Sequence, residues 1–221
     1  MNRIGEVRRR VAAEGPPRTV AHDFETVALP ARDCDLVRDL LVREGARSVV
    51  EIGLAFGSSA LAVAEALADV AGSRHVIIDP FQRQAFDDIG RELLSEAGAA
   101  FELVESPSSV ALPQLLGTTL DAAFVDGSHR FHEVFVDLYY LRKIVRPGGL
   151  VILDDDWAPS VRSAVRYYER NLGWTPIPDA FADGTFRHLD DDPAAEQVPR
   201  CRALRLPDVP SEPRFEDFIP F

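Results

Sequence analysis

The segment VVEIGLAFGSSA at residues 49–60 constrains the fold of this chain most, because it joins a strand to a helix through two glycines. Residues 48–50 are too few and too β-branched for a helix, whereas residues 60–70 are rich in alanine and leucine at helical spacing. Gly53 and Gly57 lie at the junction, where a missing Cβ permits a sharp turn and lets a ligand approach the backbone. The unpaired N–H groups that begin the helix attract an anionic group. The segment therefore predicts an α/β fold with a nucleotide-type ligand at this turn.

The spacing of the glycines narrows the choice of ligand. The segment reads Glu51-x-Gly53-x-x-x-Gly57, which differs from the Gly-x-Gly-x-x-Gly spacing that cradles a dinucleotide pyrophosphate. A ligand without a pyrophosphate is therefore favoured. Taken alone, the two glycines are equally compatible with an ordinary turn between any strand and helix of an α/β domain.

Three more apolar segments are followed by polar residues and favour the ligand site over the ordinary turn. They are residues 75–79, which end in Asp79; residues 101–105, which precede Ser108 and Ser109; and residues 120–125, which precede Asp126. The alternation of strands and helices places all these polar ends on one edge of a parallel sheet. An acid at the end of the second strand, such as Asp79, is placed to accept hydrogen bonds from ribose hydroxyls.

The remaining segments complete the predicted fold. Residues 150–153 read as a fifth strand, and the strand-like pieces after it are separated by turns rich in aspartate and proline, at 174–178, 185–189 and 201–206. Such pieces indicate a hairpin. Helices are predicted at 34–44, 60–70, 82–97, 110–116, 131–145 and 160–171. We therefore predict a Rossmann-like, doubly wound α/β fold, with a seven-stranded, mostly parallel sheet and one antiparallel strand in a C-terminal hairpin.

Composition bounds the domain organisation and the partners. A chain of 221 residues with 46% hydrophobic content can bury one full core, so we predict a single main domain over residues 34–221. Residues 1–33 are predicted to form a helical extension that covers the substrate. A net charge of -12 argues against nucleic acid and favours a small molecule as partner. Without an apolar run of about 18 residues, the chain is predicted to be cytoplasmic and to contact no membrane.

Three aspartates predict a metal site. Asp126 follows one strand and Asp154 and Asp155 follow another, so their carboxylates should meet at neighbouring strand ends. Carboxylates in one place repel each other unless a cation lies between them, and oxygen ligands select a hard ion such as Mg²⁺ or Ca²⁺. The alternative is that the run 154–156 is a solvated turn; within it, Asp156 is the member predicted to stay outside the site.

His129 is the candidate general base. It lies three residues after Asp126, on the turn that faces the ligand edge. A neutral imidazole near pH 7 could take a proton from a hydroxyl that a metal polarises. His132 is the competing candidate, and a purely structural role for His129 is the other alternative. His22, His75 and His188 are interpreted as incidental.

Four motifs, in order, resemble those of class I S-adenosylmethionine-dependent methyltransferases. They are VEIGLAFGSSA at 50–60, IDPF at 78–81, FVDGSH at 124–129 and RPGGLVILDD at 146–155. Within that class, the span from about Asp35 to Leu206 most resembles the small-molecule O-methyltransferases related to macrocin O-methyltransferase. It is more distantly similar to catechol O-methyltransferase.

The resemblance implies roles for individual residues. For the cofactor, Gly53 and Ala55 in the turn would lie against its methionine part, with Ser59 near the carboxylate and Glu51 bracing the turn. Asp79 would hold the ribose, and Ser108 and Ser109 would lie beside the adenine. For catalysis, Asp126, Asp154 and Asp155 fall on the metal positions and His129 on that of the general base. Asp126 also borders the cofactor.

The resemblance implies methyl transfer from S-adenosylmethionine to a hydroxyl of a small molecule, such as a natural product, a sugar or a catechol-like compound. A divalent cation, Mg²⁺ by its oxygen ligands, would assist. The alternatives are a metal-independent N- or O-methyltransferase and a non-catalytic S-adenosylmethionine-binding regulatory protein. A homo-oligomer is a further prediction. The apolar C-terminal tail could pack on the sheet of its own chain or on a second subunit; its large residues are Phe215, Phe218, Ile219 and Phe221.

Overall fold

The computed structural model describes residues 3–221, in which nine strands form one large sheet and one small ribbon. Met1 and Asn2 of the predicted extension lie outside the described residues. The strands are β1 Ser48–Ile52, β2 Arg74–Ile78, β3 Glu102–Val104, β4 Leu120–Val125, β5 Val145–Leu153, β6 Thr175–Pro176, β7 Phe186–His188, β8 Gln197–Pro199 and β9 Arg202–Arg205.

The large sheet has seven strands in the order β3-β2-β1-β4-β5-β9-β6. The pairs β1–β2, β2–β3 and β4–β5 are parallel, whereas β9 runs antiparallel to both β5 and β6. This confirms the predicted fold class: a mostly parallel, Rossmann-like sheet with one antiparallel strand from the C-terminal region.

The helices flank these strands. They are α1 Arg3–Glu14, α2 Phe24–Val27, α3 Ala31–Arg43, α4 Ser58–Leu67, α5 Gln82–Ala85, α6 Ile89–Ala97, α7 Ser108–Ala111, α8 Phe131–Ile144 and α9 Pro159–Leu172. Within residues 3–221, no helix has both the length and the apolar character that crossing a membrane requires.

One predicted helix, at 82–97, is in fact two. Asp87 and Asp88 separate α5 from α6, with φ values of 50° and 58°. Two successive residues in the left-handed region cannot continue a right-handed helix. The sequence prediction missed the break because helical spacing of the apolar residues resumes on its far side.

Residues up to Ala111 form the first of two compact units. Its core includes residues of the N-terminal extension, because Ile4, Val7 and Val11 of α1 pack in one buried cluster with Phe56 and Leu61. Ion pairs tie α1 to later helices: Arg8 contacts Asp35 at 2.6 Å and Glu65 at 2.8 Å, and Arg10 contacts Glu96 at 2.7 Å. The extension is thus built into the core of this unit.

Residues from Leu112 onward form the second unit. The predicted strand at 185–189 forms β7, which pairs with β8 in a separate two-stranded ribbon, and β6 pairs with β9 in the large sheet. Asp190 and Asp191, with φ of 57° and 56°, reverse the chain after β7. Because this reversal returns the chain at residues 197–199, β7 finds its partner there, and the sequence prediction missed that strand.

The C-terminal tail lies on α9 of its own chain. The Asn171 side chain accepts a hydrogen bond from the Ile219 amide at 2.7 Å and donates one to the Ile219 carbonyl at 3.0 Å. The Phe221 ring lies 5.3 Å from that of Tyr167, while Phe215 stays fully exposed. Homo-oligomerisation through this tail stays a prediction.

Candidate functional site

The glycine turn after β1 depends on left-handed backbone. Gly53, Ala55 and Gly57 have φ values of 94°, 45° and 81°. A Cβ on Gly57 would lie 3.2 Å from Cα of Gly90, and one on Gly90 would lie 2.6 Å from the carbonyl oxygen of Ala55. The turn and the start of α6 therefore approach each other more closely than side chains permit. Sequence reasoning found Gly57 but missed Gly90, whose partner is distant in sequence.

Asp79 binds the backbone of this turn. Its Oδ2 accepts hydrogen bonds from the amides of Leu54 at 2.8 Å and Ala55 at 3.2 Å, and its Oδ1 accepts one from the amide of Phe81 at 2.6 Å. The residue is only 4% exposed. Amide donors can stabilise a buried carboxylate, so Asp79 holds the turn in shape. The ribose contact predicted for Asp79 stays a prediction.

Glu51 anchors a buried network beneath the turn. Its Oε1 accepts a hydrogen bond from the Ser59 hydroxyl at 2.6 Å, and its Oε2 lies 2.8 Å from Nε2 of His75. All three residues are buried. Glu51 thus links the start of α4 to β2. The cofactor contacts predicted for Glu51 and Ser59 stay predictions. His75, interpreted as incidental, belongs to the network; its signal was a polar residue in an apolar strand, which requires an internal partner.

The polar segments of the first unit begin at one level of the sheet. Ile52 pairs with Ile78, and Ile78 with Val104. Gly53 and Asp79 therefore follow directly at the carboxyl ends of neighbouring parallel strands, and Ser108 and Ser109 begin α7 shortly after the third. Ser108 is half-buried and Ser109 is exposed.

This edge of the first unit fits S-adenosylmethionine. A Cβ on Gly57 would crowd the turn. Helix α4 begins directly after Gly57, so the N–H groups of its first turn lie next to the glycine turn. A helix start offers partial positive charge to a carboxylate such as that of the methionine part. Glu51, Gly53, Ala55, Ser59, Asp79, Ser108 and Ser109 would hold the cofactor, and Asp126 lies in the second unit.

In the second unit, the structure brings the three aspartates together. Val125 pairs with Leu153, so Asp126 and Asp154 leave adjacent parallel strands at the same level. The amide of Asp154 donates to the carbonyl of Val125 at 3.0 Å. The carboxylates of Asp126, Asp154 and Asp155 and the side chain of His129 form what we call the acid cluster.

His129 bridges two carboxylates of this cluster. Its Nε2 lies 3.1 Å from Oδ1 of Asp126 and 3.4 Å from Oδ2 of Asp155. Its backbone is left-handed at φ 56°, and the hydroxyl of Ser160 donates to its carbonyl at 2.7 Å. A non-glycine residue in this region is strained and is held by its surroundings. The imidazole is therefore positioned by contacts on both sides.

The charge state of His129 corrects the prediction of a neutral imidazole. Burial lowers its pKa, but the hydrogen bond and charge of Asp126 and the charges of Asp155 and Asp154 outweigh burial and raise the pKa to about 9. The imidazole is therefore positively charged at pH 7. His132, the competing candidate, is exposed and lies beside Glu133 at 3.7 Å, outside the cluster.

Arg200 is the member of the site that sequence reasoning missed. Its Nε lies 2.9 Å and 3.1 Å from the two oxygens of Asp154, and its Nη2 lies 2.7 Å from Oδ2. Its Nε also lies 3.3 Å from Oδ1 of Asp155. Burial, with the charges of Asp126 and Asp155, raises the pKa of Asp154, while Arg200 opposes that rise. Arg200 is 46 residues from Asp154 in sequence, so no local motif connected them.

Asp155 and Asp156 have further partners. The indole Nε1 of Trp157 donates to Oδ1 of Asp155 at 2.7 Å. Asp156 pairs with Arg202 at 3.3 Å, outside the acid cluster. Asp154 is fully buried and Asp155 mostly so, so neither belongs to a solvated turn.

The acid cluster does not fit a divalent cation as it is arranged. Both oxygens of Asp154 are bound to a guanidinium, and one oxygen of Asp155 is bound to an indole. Across residues 3–221, no group of three histidine, cysteine or acidic residues is arranged to hold a metal ion. The prediction of a metal on Asp126, Asp154 and Asp155 is not confirmed.

Comparison with known proteins agrees with the fold and the turn. Residues 50–155 match the methyltransferase domain family. Over 158 residues the chain is 31% identical to tricin synthase 1 of Oryza sativa subsp. japonica, covering 65% of this chain and 59% of that protein. It is 29% identical to caffeoyl-CoA O-methyltransferase of Pinus taeda, covering 86% of this chain and 77% of that protein. The chain thus spans less than two thirds of tricin synthase 1.

Solved structures share the fold at low sequence identity. An O-methyltransferase from Bacillus cereus in complex with SAH has a TM-score of 0.64 at 19% identity, covering 93% of this chain and 90% of that one. The O-methyltransferase TomG from Streptomyces achromogenes, in complex with SAM, has a TM-score of 0.59 at 19% identity, covering 93% and 89%. With the four motifs and the sheet order, these matches support a class I S-adenosylmethionine-dependent methyltransferase.

Proposed function

We propose that this protein transfers a methyl group from S-adenosylmethionine to a hydroxyl of a small molecule, with a phenolic hydroxyl as the preferred acceptor. Support comes from its family and from the O-methyltransferases among its relatives. The observation that carries the proposal is the 3.1 Å contact between His129 and Asp126, directly after β4. A charged imidazole beside a partly exposed carboxylate can act on a weakly acidic hydroxyl.

The proposed roles follow from the charges of the acid cluster. S-adenosylmethionine supplies a methyl group on a sulfonium, so an O–C bond forms as the C–S bond breaks and its electron pair stays on sulfur. The carboxylate of Asp126 accepts the proton of the acceptor hydroxyl. The imidazolium of His129 stabilises the negative charge that develops on the oxygen. His129 thereby acts by its charge at neutral pH, and Asp126 takes over the proton-accepting role.

In the first unit, the glycine turn orients the cofactor. In-line displacement depends on alignment of the attacking oxygen, the methyl carbon and the sulfur. The turn is rigid because Asp79 binds two of its amides and Gln82 donates to the carbonyl of Ala55 at 2.9 Å. Rigidity of this kind favours a single position for the bound methionine part.

A phenol suits this cluster better than a sugar hydroxyl. A phenolic hydroxyl such as that of tyrosine ionises near pH 10, whereas a sugar hydroxyl ionises far less readily. The side chains of His129 and Asp126 are 37% and 19% exposed, so an acceptor can reach them. A relative named caffeoyl-CoA O-methyltransferase is consistent with this choice.

The sequence also predicted that a divalent cation assists the reaction. Its ligands would be Asp126, Asp154 and Asp155, and its chemistry would be to lower the pKa of a bound hydroxyl. Asp154 and Asp155 already have cationic and indole partners, so the proposed roles of Asp126 and His129 do not require a metal. Metal dependence stays a prediction to be tested.

The proposal is tested by incubating the protein with S-adenosylmethionine and a panel of catechol-like phenols, sugars and amines, and measuring S-adenosylhomocysteine by mass spectrometry. We expect phenols to be methylated, and His129→Gln to lower the rate about 100-fold with unchanged affinity for S-adenosylhomocysteine. The matched control is His132→Gln, which alters an exposed histidine outside the cluster. Methylation of amines alone, or binding of S-adenosylhomocysteine without transfer to any acceptor, would contradict O-methylation.

A further inference from the structure

Asp154 has the most complete set of partners in the acid cluster. Three contacts of 2.7–3.1 Å join its two oxygens to the guanidinium of Arg200. The thiol of Cys201 donates to its Oδ1 at 3.3 Å. The Asp154 side chain is 0% exposed and that of Arg200 is 12% exposed. An incoming ion would therefore have to displace a buried, charge-assisted, bidentate pair.

The other two carboxylates are held in the same arrangement. Asp155 receives the Trp157 indole on Oδ1, the same oxygen that lies 3.3 Å from Nε of Arg200. Nε2 of His129 lies between Oδ1 of Asp126 and Oδ2 of Asp155. The repulsion that predicted a bound cation is thus offset by side chains of the protein itself. Arginine suits this position because its guanidinium is always charged and its planar fork matches a carboxylate.

We propose that Arg200 is the resident cation of the acid cluster and occupies the position that the family resemblance assigns to a divalent metal. The protein therefore binds no divalent cation at these aspartates. The identity of the reaction rests on the proposed function, but the absence of metal binding does not. Arg200 acts by positioning Asp154 and Asp155.

The experiment is a metal titration of the folded protein. The protein is treated with EDTA, freed of the chelator and saturated with S-adenosylhomocysteine, and MgCl₂ or MnCl₂ is then added in a calorimeter and in thermal melts. We expect neither a heat of binding nor a shift in Tm. Arg200→Ala frees the oxygens of Asp154 and Asp155 and should gain Mn²⁺ binding. Its Tm should rise by roughly 5 °C at about one hundred times the dissociation constant.

The control is Arg202→Ala, which removes a neighbouring arginine that pairs with Asp156 and Glu169. This variant should gain no metal binding. Stoichiometric binding of Mg²⁺ or Mn²⁺ to the wild-type protein, lost in Asp154→Asn, would overturn the proposal. So would a folded Arg200→Ala variant that gains no binding. If Arg200→Ala does not fold, Arg200→Gln replaces it, and the wild-type titration decides by itself.

Binding of metal is measured without turnover, so this test is independent of the acceptor panel. Suppose that methyl transfer is not observed, but the wild-type protein binds no metal and Arg200→Ala binds it. The assignment of Arg200 then still holds. Methyl transfer that requires Mg²⁺, with Mg²⁺ bound by the wild-type protein, would uphold the reaction and overturn the assignment.

Discussion

The glycine turn of the first unit and the acid cluster of the second both contain buried aspartates, but they stabilise them with different donors. Asp79 is satisfied by three backbone amides, from Leu54, Ala55 and Phe81. Asp154 is satisfied by a side-chain cation, Arg200. Amide donors are fixed by the path of the chain and carry no net charge, whereas a guanidinium carries a full charge at the end of a side chain. The difference teaches that the first site depends on backbone shape and the second on charge pairing.

We expect the largest change in stability when the pair between Arg200 and Asp154 in the acid cluster is broken. Arg200→Met leaves the carboxylate of Asp154 buried without a cationic partner, and we expect the free energy of unfolding to fall by about 3–5 kcal/mol. Chemical denaturation measures it. Arg10→Met is the control, because Arg10 forms an exposed pair with Glu96, and it should change stability little. Equal losses in the two variants would show that the acid cluster does not depend on charge pairing.

A substitution with a smaller expected effect, at Gly57, tests whether the glycine turn depends on backbone shape. Gly57→Ala combines left-handed strain with a Cβ placed 3.2 Å from Cα of Gly90. We expect a loss of about 2–3 kcal/mol in the free energy of unfolding and weaker binding of S-adenosylhomocysteine. Gly98→Ala is the matched control, because Gly98 has a similar φ of 72° with no atom near the added Cβ. It should lose only about 1 kcal/mol and keep its affinity.

If both alanine variants lose the same stability, strain alone explains the cost and the close approach of Gly57 to Gly90 has no separate effect. Calorimetry compares the affinities of the two variants for S-adenosylhomocysteine. Gly98 follows the last residue of α6, whereas Gly90 lies at the start of that helix.

The smallest effect concerns the charge of His129. Asp126→Asn removes the hydrogen-bonding carboxylate that raises the pKa of His129 to about 9, so we expect that pKa to fall. NMR titration of the imidazole C–H signals measures it. Because the folded pKa lies above the unfolded value of 6.5, the wild-type protein should lose stability as pH rises between about 6.5 and 9. Asp126→Asn should lose less over this window, and an unchanged His129 pKa would contradict the assigned cause.

Sequence could predict the parts of the molecule that depend on local patterns. The strand before Gly53, the acid after β2 and the aspartates after β4 and β5 were all placed correctly, because each follows an apolar segment directly in the chain. Parallel strands then bring such ends to one level. The parallel strands followed from the same alternation, and the antiparallel strand followed from the predicted C-terminal hairpin.

Sequence could not predict the parts that depend on distant partners. Arg200 meets Asp154 across 46 residues, and His75 meets Glu51 across 24. Gly90 is small because of a turn that precedes it by more than 30 residues. No periodicity or spacing encodes such contacts. The charge of His129 was misjudged for a related reason, since it depends on how many carboxylates surround the ring.

Helix α1 has a consequence for how the chain is made. It is synthesised before its partners Glu65 and Glu96, which lie 57 and 86 residues after the arginines that bind them. At synthesis rates of about 5–20 residues per second, its apolar side chains remain without their partners for several seconds. Helix α1 therefore docks only after α4 and α6 have been made, and removing the residues before Gly15 would leave the core beside Phe56 open.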